Sequence, residues 1–541
     1  MDRDRPALIS VRGLLLRATV VAVPLAFFAL FFAYPVGAVV FRGATEGSVL
    51  EVIRRPSTIR LLWFTSWQAA VSTLLALAVG LPAAWAVSRV DLPGKRLLRA
   101  FLIVPFVLPT LVVGAAVQAL SAWSGLGLDG TVAGILVAHT MLNAAVVIRI
   151  VGGSWSLLDP SAEEAARTLG ASRATVLREV TLPALAPALW SAAGIVFLFC
   201  FTSFGVILTV GGPGLPTIET EIWRQAVQRT DFSAAAALSV LQIVVVVALV
   251  VVTNALERRA QSVTVRRPAK PAPARSWRRR SAVAAALAPA VVLLIVPLGL
   301  LVEQSFAVSG GGHGLANYRA LRDTSAGGLF VPAAEAIGNS LTAAVWATAV
   351  AVLVGGIAAA AVVYSRSRTG RMLDVALMVP LGTSAVTIGF GILLALGRPP
   401  LDLRSSWVIV PLAQALVGTP FVIRTSVAGL RSVDRRQQEA AAVLGATPSR
   451  VRLTVDLPVA ARSLLVGAAF AFAVSLGEFG ATSFLARPDR PTIPVAMFRL
   501  LGRPSEALHG QAMALGVVLA VLSLISVMAI ERLRPTDRLG W

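Results

Sequence analysis

Cysteine is almost missing from this 541-residue chain: the single Cys200, in the run Phe199-Cys200-Phe201, excludes an internal disulfide framework and any cysteine-based metal cluster. It reads as a small apolar packing residue. Charge is scarce as well, at 14% of residues against about 25% in an average soluble protein, which excludes a water-soluble domain of this size. Acids are the scarcer sign, 27 Asp and Glu against 48 Lys and Arg, for a net charge of +21. The phosphate-cradling pattern G-x-x-x-x-G-K-[ST] is also missing. Gly94-Lys95-Arg96 lacks the upstream glycine and the hydroxyl, and Gly310-Gly-Gly-His-Gly314 has no lysine, so the chain encodes no P-loop of its own.

What the sequence does contain is apolar residues, 56% of the chain, in runs that reach the roughly 20 residues a helix needs to cross a bilayer. Twelve spans are predicted, at 14–41, 61–87, 97–120, 131–151, 189–210, 234–256, 282–301, 341–364, 372–396, 407–427, 464–486 and 511–530. The fold class is therefore all-α and polytopic. The first run is longer than a signal peptide's apolar stretch and no small-residue cleavage site follows it, so it reads as a retained anchor. With the N-terminus inside, 34 of the 48 Lys and Arg fall on the cytoplasmic side and 14 outside, as the excess of basic residues in cytoplasmic loops requires. Both termini then face the cytoplasm. Topology accounts for the basic excess, and no nucleic-acid partner is needed. Residues 257–281, with nine Lys and Arg and the stretch Pro268-Ala-Lys-Pro-Ala-Pro273, read as a solvated linker between a first half, 1–256, and a second, 282–541.

The halves are repeats. A constant shift of 275 places Pro105 on Pro380, Gly114 on Gly389, Arg149 on Arg424, Asp159 on Asp434, Gly170 on Gly445, Pro183 on Pro458, and Pro216-Thr217-Ile218 on Pro491-Thr492-Ile493. Each repeat holds six spans, an even number, so the two run in the same direction about an axis along the membrane normal.

The longest cytoplasmic loop of each half, 159–183 and 434–458, carries the clearest motif. The first reads Glu164-Ala-Ala-Arg-Thr-Leu-Gly170, nine residues, then Val180-Thr-Leu-Pro183; the second reads Glu439-Ala-Ala-Ala-Val-Leu-Gly445, nine residues, then Val455-Asp-Leu-Pro458. Asp159 and Asp434 suit a helix N-cap, Pro160 a first helical position, and Gly170 and Gly445 the left-handed residue that ends a helix. A second helix begins at Ser172 or Thr447 and is predicted to stop ahead of Pro183 or Pro458. Ala165, Ala166, Ala440 and Ala441 leave a low-relief face for a partner surface, beside Glu164 and Glu439, which can pair with a partner cation or join a helix-start hydrogen bond. The pattern describes a knob at a glycine corner, built twice.

These loops resemble the EAA loop of permeases from binding-protein-dependent ABC importers: Glu-Ala-Ala, three residues, Gly, nine residues, Ile, one residue, Leu-Pro. Val180 and Val455 replace the isoleucine. In that family the loop is a coupling helix seated in a groove of the nucleotide-binding subunit. The resemblance implies that Glu164, Ala165, Ala166, Gly170, Leu182 and Pro183 dock one ATPase subunit, and Glu439, Ala440, Ala441, Gly445, Leu457 and Pro458 a second copy. It also implies a solute-binding protein on the extracytoplasmic side, a location in the bacterial cytoplasmic membrane, and no cofactor in this chain, ATP and magnesium belonging to the partner ATPase. A helix-turn-helix reading of Glu164–Val176 fails because a loop between spans leaves no third helix for a DNA-binding domain. A major-facilitator reading of Arg89-Val-Asp-Leu-Pro-Gly-Lys-Arg96 and Arg366-Ser-Arg-Thr-Gly-Arg371 leaves the paired Glu-Ala-Ala loops unexplained.

The fused two-half form resembles the thiamine and ferric-iron importers. Leu136-Val-Ala-His-Thr-Met-Leu-Asn143 and Phe201-Thr-Ser-Phe-Gly205, followed by Gly211-Gly212 and Thr217-Ile-Glu219, are most similar to thiamine permeases, although Gly211-Gly-Pro-Gly214 departs from the usual triple glycine before proline. Glu478 lies inside the eleventh span, where a carboxylate is costly enough to mark a functional position. A negative charge there suits a cation such as thiamine or Fe³⁺. The competing reading makes it an acid paired with a helix-end cation or bonded to backbone freed near Gly477 and Gly480. Its repeat counterpart is Ser203. His139 and its counterpart Gln414 read first as interhelical hydrogen-bond partners and second as path lining. Trp63, Trp67, Trp123, Trp155 and Trp190 read as interface anchors. No metal site is expected.

Overall fold

The computed structural model describes residues 21–45, 49–95, 98, 101, 102, 104, 108–260, 272, 273, 276–308, 311–324, 329–365, 367–397 and 401–533. Both chain ends and most of the linker lie outside the described residues. The first half contains α1 (Val21–Thr45), α2 (Pro56–Arg89), α3 (Thr110–Ser124), α4 (Val132–Ser156), α5 (Ser161–Thr168), α6 (Arg173–Phe201) and α7 (Phe232–Glu257). The second contains α8 (Trp277–Phe306), α9 (Ala333–Tyr364), α10 (Ser367–Met378), α11 (Ala385–Ala395), α12 (Ile409–Arg431), α13 (Arg435–Val443), α14 (Pro448–Gly477), α15 (Thr482–Leu485) and α16 (Glu506–Ile530).

Among the described residues ten of these are long and apolar enough to cross a membrane, and the expected third and ninth spans appear as the shorter apolar α3 and α11. The ninth is broken. α10 and α11 are separated by a tight turn through Pro380 and Gly382, and Ser384 restarts the helix by accepting bonds from the amides of Val386 and Thr387. Expected strand content is nil; among the described residues there is one pair of two-residue strands, Val90–Asp91 and the linker's Ala272–Pro273, joined in parallel.

The chain packs as two compact units, whose described parts come from Met1–Phe41, Glu335–Thr492 and Ile525–Asp537 in one, and Arg42–Ala334 and Ile493–Leu524 in the other. These do not coincide with the sequence halves. In the first unit α1 approaches α11 so closely that a Cβ on Gly391 would lie 2.9 Å from the Pro35 carbonyl oxygen. In the second, α8 seats Ala290 among Ala83, Val87, Leu102 and Ile148. Each opening helix thus covers apolar surface contributed by the other half's sequence. The repeat also reproduces one close helix contact in each unit. A Cβ on Gly80 would lie 2.6 Å from the Val147 side chain, and one on Gly355 would lie 2.9 Å from that of Val422; both pairs stand 275 apart, so glycine is required where the second span of a half meets its fourth.

Two helix boundaries differ from the sequence expectation. The helix after each glycine corner does not stop at the proline: α6 and α14 run on through Pro183 and Pro458. A wide turn at Leu177–Thr181 and at Arg452–Asp456 precedes each proline. Proline lacks an N–H and its ring clashes with the carbonyl four residues back, and one wide turn relieves both without ending the helix. Conversely, the fifth and eleventh spans are not continuous. α6 ends at Phe201, helix resumes at Gly205, and α14 ends at Gly477, with Ser203 and Glu478 at the two breaks. Thr202 turns its hydroxyl back onto the Leu198 carbonyl, 2.8 Å away, a local bond that competes with helix continuation.

Candidate coupling site and membrane-embedded polar residues

The glycine corners are built alike from the same local chemistry. Asp159 accepts from the Ser161 amide at 3.0 Å, and Asp434 from the Arg436 amide at 2.9 Å, starting α5 and α13. At the other end Gly170 and Gly445 take φ of +88° and +85°. The Ala171 amide reaches back to the Ala166 carbonyl and the Ala446 amide to the Ala441 carbonyl, both at 3.0 Å, which is the six-to-one bond of a helix closed by a left-handed residue. Ser172 caps the next turn through the Thr175 amide at 3.2 Å. Pro448 occupies the first position of the equivalent turn.

Burial separates two faces of each knob. Glu164, Ala165, Glu439 and Ala440 are exposed, Ala166 and Ala441 are half-buried, and at the tips Leu169 and Leu444 are 89% and 88% exposed. The carboxylates of Glu164 and Glu439 make no hydrogen bond or ion pair among the described residues, so neither joins its own helix start. Leu182 is half-buried and Pro183, Leu457 and Pro458 are exposed where the corner meets the span. Sequence reasoning passed over Leu169, Leu444 and the 87% exposed Val443. The available signal was position: a large apolar residue beside the closing glycine of a loop helix with no buried residue.

Glu478 is buried, and its partners are donors of the turn it begins: the Ala481 amide at 2.7 Å, the Thr482 amide at 3.0 Å and the Thr482 hydroxyl. Thr482 also receives the Gln414 side-chain amide at 3.5 Å, so Gln414, Thr482 and Glu478 form one polar chain. In the other unit His139 Nδ1 lies 3.1 Å from the Ser72 hydroxyl, and Asn143 donates to the His139 carbonyl at 2.9 Å and to Cys200 Sγ at 3.4 Å. Cys200 itself is buried and free. His139 Nε2 and Gln414 Oε1 are buried with no partner among the described residues. Ser203 is buried at the break equivalent to that of Glu478.

Two further acids are buried that the sequence did not single out by depth: Glu219, which accepts from Gln242 of α7, and Asp456 of α14. Trp63, Trp67, Trp123 and Trp190 are exposed, as interface anchors are, but Trp155 is buried and belongs to the core. Its position at the end of α4 turns it onto the helix's packed face, and distance from the span end did not reveal this. Among the described residues no group of His, Cys, Asp and Glu is arranged to hold a metal.

Two repeats of membrane helices, each with a bare helix corner projecting where its fourth span meets its fifth, define an ABC permease. The chain belongs to the binding-protein-dependent transport system inner membrane component family, whose sequence profile matches residues 76–262 and 351–535. It is similar to the probable ABC transporter permease protein y4fN of Sinorhizobium fredii, 26% identical over 83% of each chain, and to the thiamine transport system permease protein ThiP of Brucella abortus, 26% identical over 86% of this chain and 87% of the relative. The putative 2-aminoethylphosphonate transport system permease protein PhnU of Salmonella typhimurium is 32% identical over 39% of this chain and 79% of its own. A solved bacterial ABC transporter involved in import of the acidic polysaccharide alginate matches 46% of this chain and 97% of its own, at 18% identity and a TM-score of 0.39.

Proposed function

We propose that the chain is the membrane-spanning subunit of an ATP-driven importer in a bacterial cytoplasmic membrane, with the knobs and both termini on the cytoplasmic side. Two copies of a nucleotide-binding ATPase dock on Glu164–Gly170 and Glu439–Gly445, and ATP and magnesium reside on those partners. A solute-binding protein delivers cargo from the other side. The observation that carries this reading is the pair of bare corners. Leu169 and Leu444 stand almost fully exposed beside carboxylates that have no partner among the described residues, which is the state of a surface awaiting a groove. Filling a groove with each leucine is worth roughly 2 kcal/mol, or about thirtyfold in affinity. Leu169→Asp combined with Leu444→Asp is expected to abolish co-purification of the ATPase while the permease inserts and unfolds as before, because neither side chain supports the fold. Retained co-purification would remove the docking assignment.

The sidedness is tested separately. Cysteines at Ala171 and Thr447, in a Cys200→Ala background, are expected to resist membrane-impermeant thiol reagents applied to intact cells, and one at Gly311 to react. Labelling at Thr447 without labelling at Ala171 would mean inverted halves.

For the cargo we propose a small organic cation, thiamine in preference to Fe³⁺. The ThiP relatives match across nearly the whole fused chain, whereas the PhnU match is shorter than half of it. The strings around His139 and Phe201 and the carboxylate at Glu478 support the same cargo. As path residues we propose Ser203 and His139 in one unit and Glu478 and Gln414 in the other.

A further inference from the structure

In each knob an acid, half-buried in the first half and buried in the second, accepts from the end of the half's second span and from elsewhere in the loop. In the first half Glu163 of α5 accepts from the Arg89 guanidinium at the end of α2, 3.2 Å away, and from the Thr181 hydroxyl in the wide turn of α6, 2.9 Å away. The Arg89 and Glu163 side chains are only 12% and 16% exposed, so this is not a solvent-screened surface pair; the 55% exposed Arg167 of the same helix adds a looser ion pair to the other carboxylate oxygen at 3.7 Å. In the second half Asp456, in the wide turn of α14, accepts from the Tyr364 hydroxyl at the end of α9, 2.5 Å away, and from the Gln438 amide of α13, 2.8 Å away. Arg452 lies over the Tyr364 ring at 4.9 Å.

The repeat shift of 275 carries Arg89 onto Tyr364, Glu163 onto Gln438 and Thr181 onto Asp456. The same three backbone positions are therefore tied together in both halves, although no residue is shared. The acid has moved, from the loop helix in the first half to the wide turn in the second; the loop-helix corner has become a donor to match, and the span-end corner donates in both. A tie that survives exchange of every side chain points to a requirement for the connection, since any one residue's chemistry has been given up.

Resting on the coupling reading above, we infer that each triad is the joint that holds the coupling helix rigidly to the ends of the second and fifth spans of its half. Arg89, Glu163, Thr181, Tyr364, Gln438 and Asp456 are positioning residues: their bonds are to one another, and they pass displacement of the knob to two spans at once. The wide turn contributes the third corner, which explains why both halves keep it immediately before the proline.

The test is a transplant in the complete complex with its ATPase, reconstituted in vesicles and normalised to inserted permease. Glu163→Gln alone is expected to lower transport at least fivefold and to lower the solute moved per ATP hydrolysed, with the ATPase still bound. Arg89→Tyr, Glu163→Gln and Thr181→Asp together install the second half's triad in the first half, and should return transport and the transport-to-hydrolysis ratio to within twofold of wild type. If Glu163→Gln does not insert, recovery of insertion and transport by the triple variant is the same result. The reverse transplant, Tyr364→Arg with Gln438→Glu and Asp456→Thr, should likewise exceed Asp456→Asn. Wild-type coupling in Glu163→Gln, or a triple variant no better than the single, overturns the joint. Loss of the ATPase with Leu169→Asp and Leu444→Asp is independent of these outcomes, so failure of the docking surface and failure of the joint are told apart.

Discussion

Gly170→Val combined with Gly445→Val is expected to cut transport at least about tenfold while the permease stays folded in the membrane. Both glycines hold φ near +85°, and an added Cβ would meet nothing within 4 Å at either. The substitution therefore produces no collision; its whole cost is conformational. A left-handed residue with a side chain costs roughly 1–2 kcal/mol, and β-branching adds to this, so each corner opens toward an ordinary helical or extended conformation. The Leu169 and Leu444 tips then leave the line of approach of the partner groove. Because the corners carry no core contacts, thermal unfolding in detergent should shift little. Gly170→Asn with Gly445→Asn is the control, since asparagine tolerates the left-handed region, and should transport near the wild-type rate. Normal transport by the double valine variant, measured per inserted molecule, would show that these corners do not couple ATP hydrolysis to movement of the solute.

Glu478→Gln is expected to lower transport of a cationic solute at least about tenfold with a small loss of stability. The carboxylate caps the turn that restarts the chain after α14, through two amides and one hydroxyl. A neutral side chain could cap that turn: glutamine offers one carbonyl oxygen of similar reach, and the lost acceptor costs about 1–3 kcal/mol at most. An ionised group at that depth carries several kcal/mol of desolvation that a neutral cap would avoid, and the first half manages the equivalent break with Ser203. The turn can thus be capped without a carboxylate, and on the proposed path a cation would be the group that needs one. Thermal unfolding and vesicle uptake of labelled thiamine, each with binding protein present, separate the two contributions. A variant with reduced folded yield and unchanged uptake per molecule would return Glu478 to a purely capping role. Iron uptake in place of thiamine uptake by the wild type would change the cargo and leave the permease class untouched.

Much of this molecule was legible without coordinates, for a reason that lies in the solvent. A bilayer demands long apolar helices, so span positions follow from composition, and the two repeats follow from one constant shift. The helix corners were legible because their determinants are local: Asp159 and Asp434 cap, Gly170 and Gly445 turn left, and the spacing between them sets the corner within a dozen residues. Local propensity failed at the prolines. Pro183 and Pro458 mark a helix end by rule, but the spans beyond them are held by packing, and one wide turn costs less than ending a helix in that setting.

The tertiary structure alone decided which face of each corner is free and which is tied. Nothing in Glu163-Glu164 says that the first glutamate turns inward to Arg89 while the second stays bare, nor that Asp456 is buried against Tyr364, because the partners lie 74 and 92 residues away in sequence. It also decided that the opening helix of each half covers the apolar surface of the other, as α1 does at Gly391 and α8 at Ala290. Periodicity tells a helix that it must bury a face, but the surface that receives it is chosen by shape and close approach among helices distant in the chain.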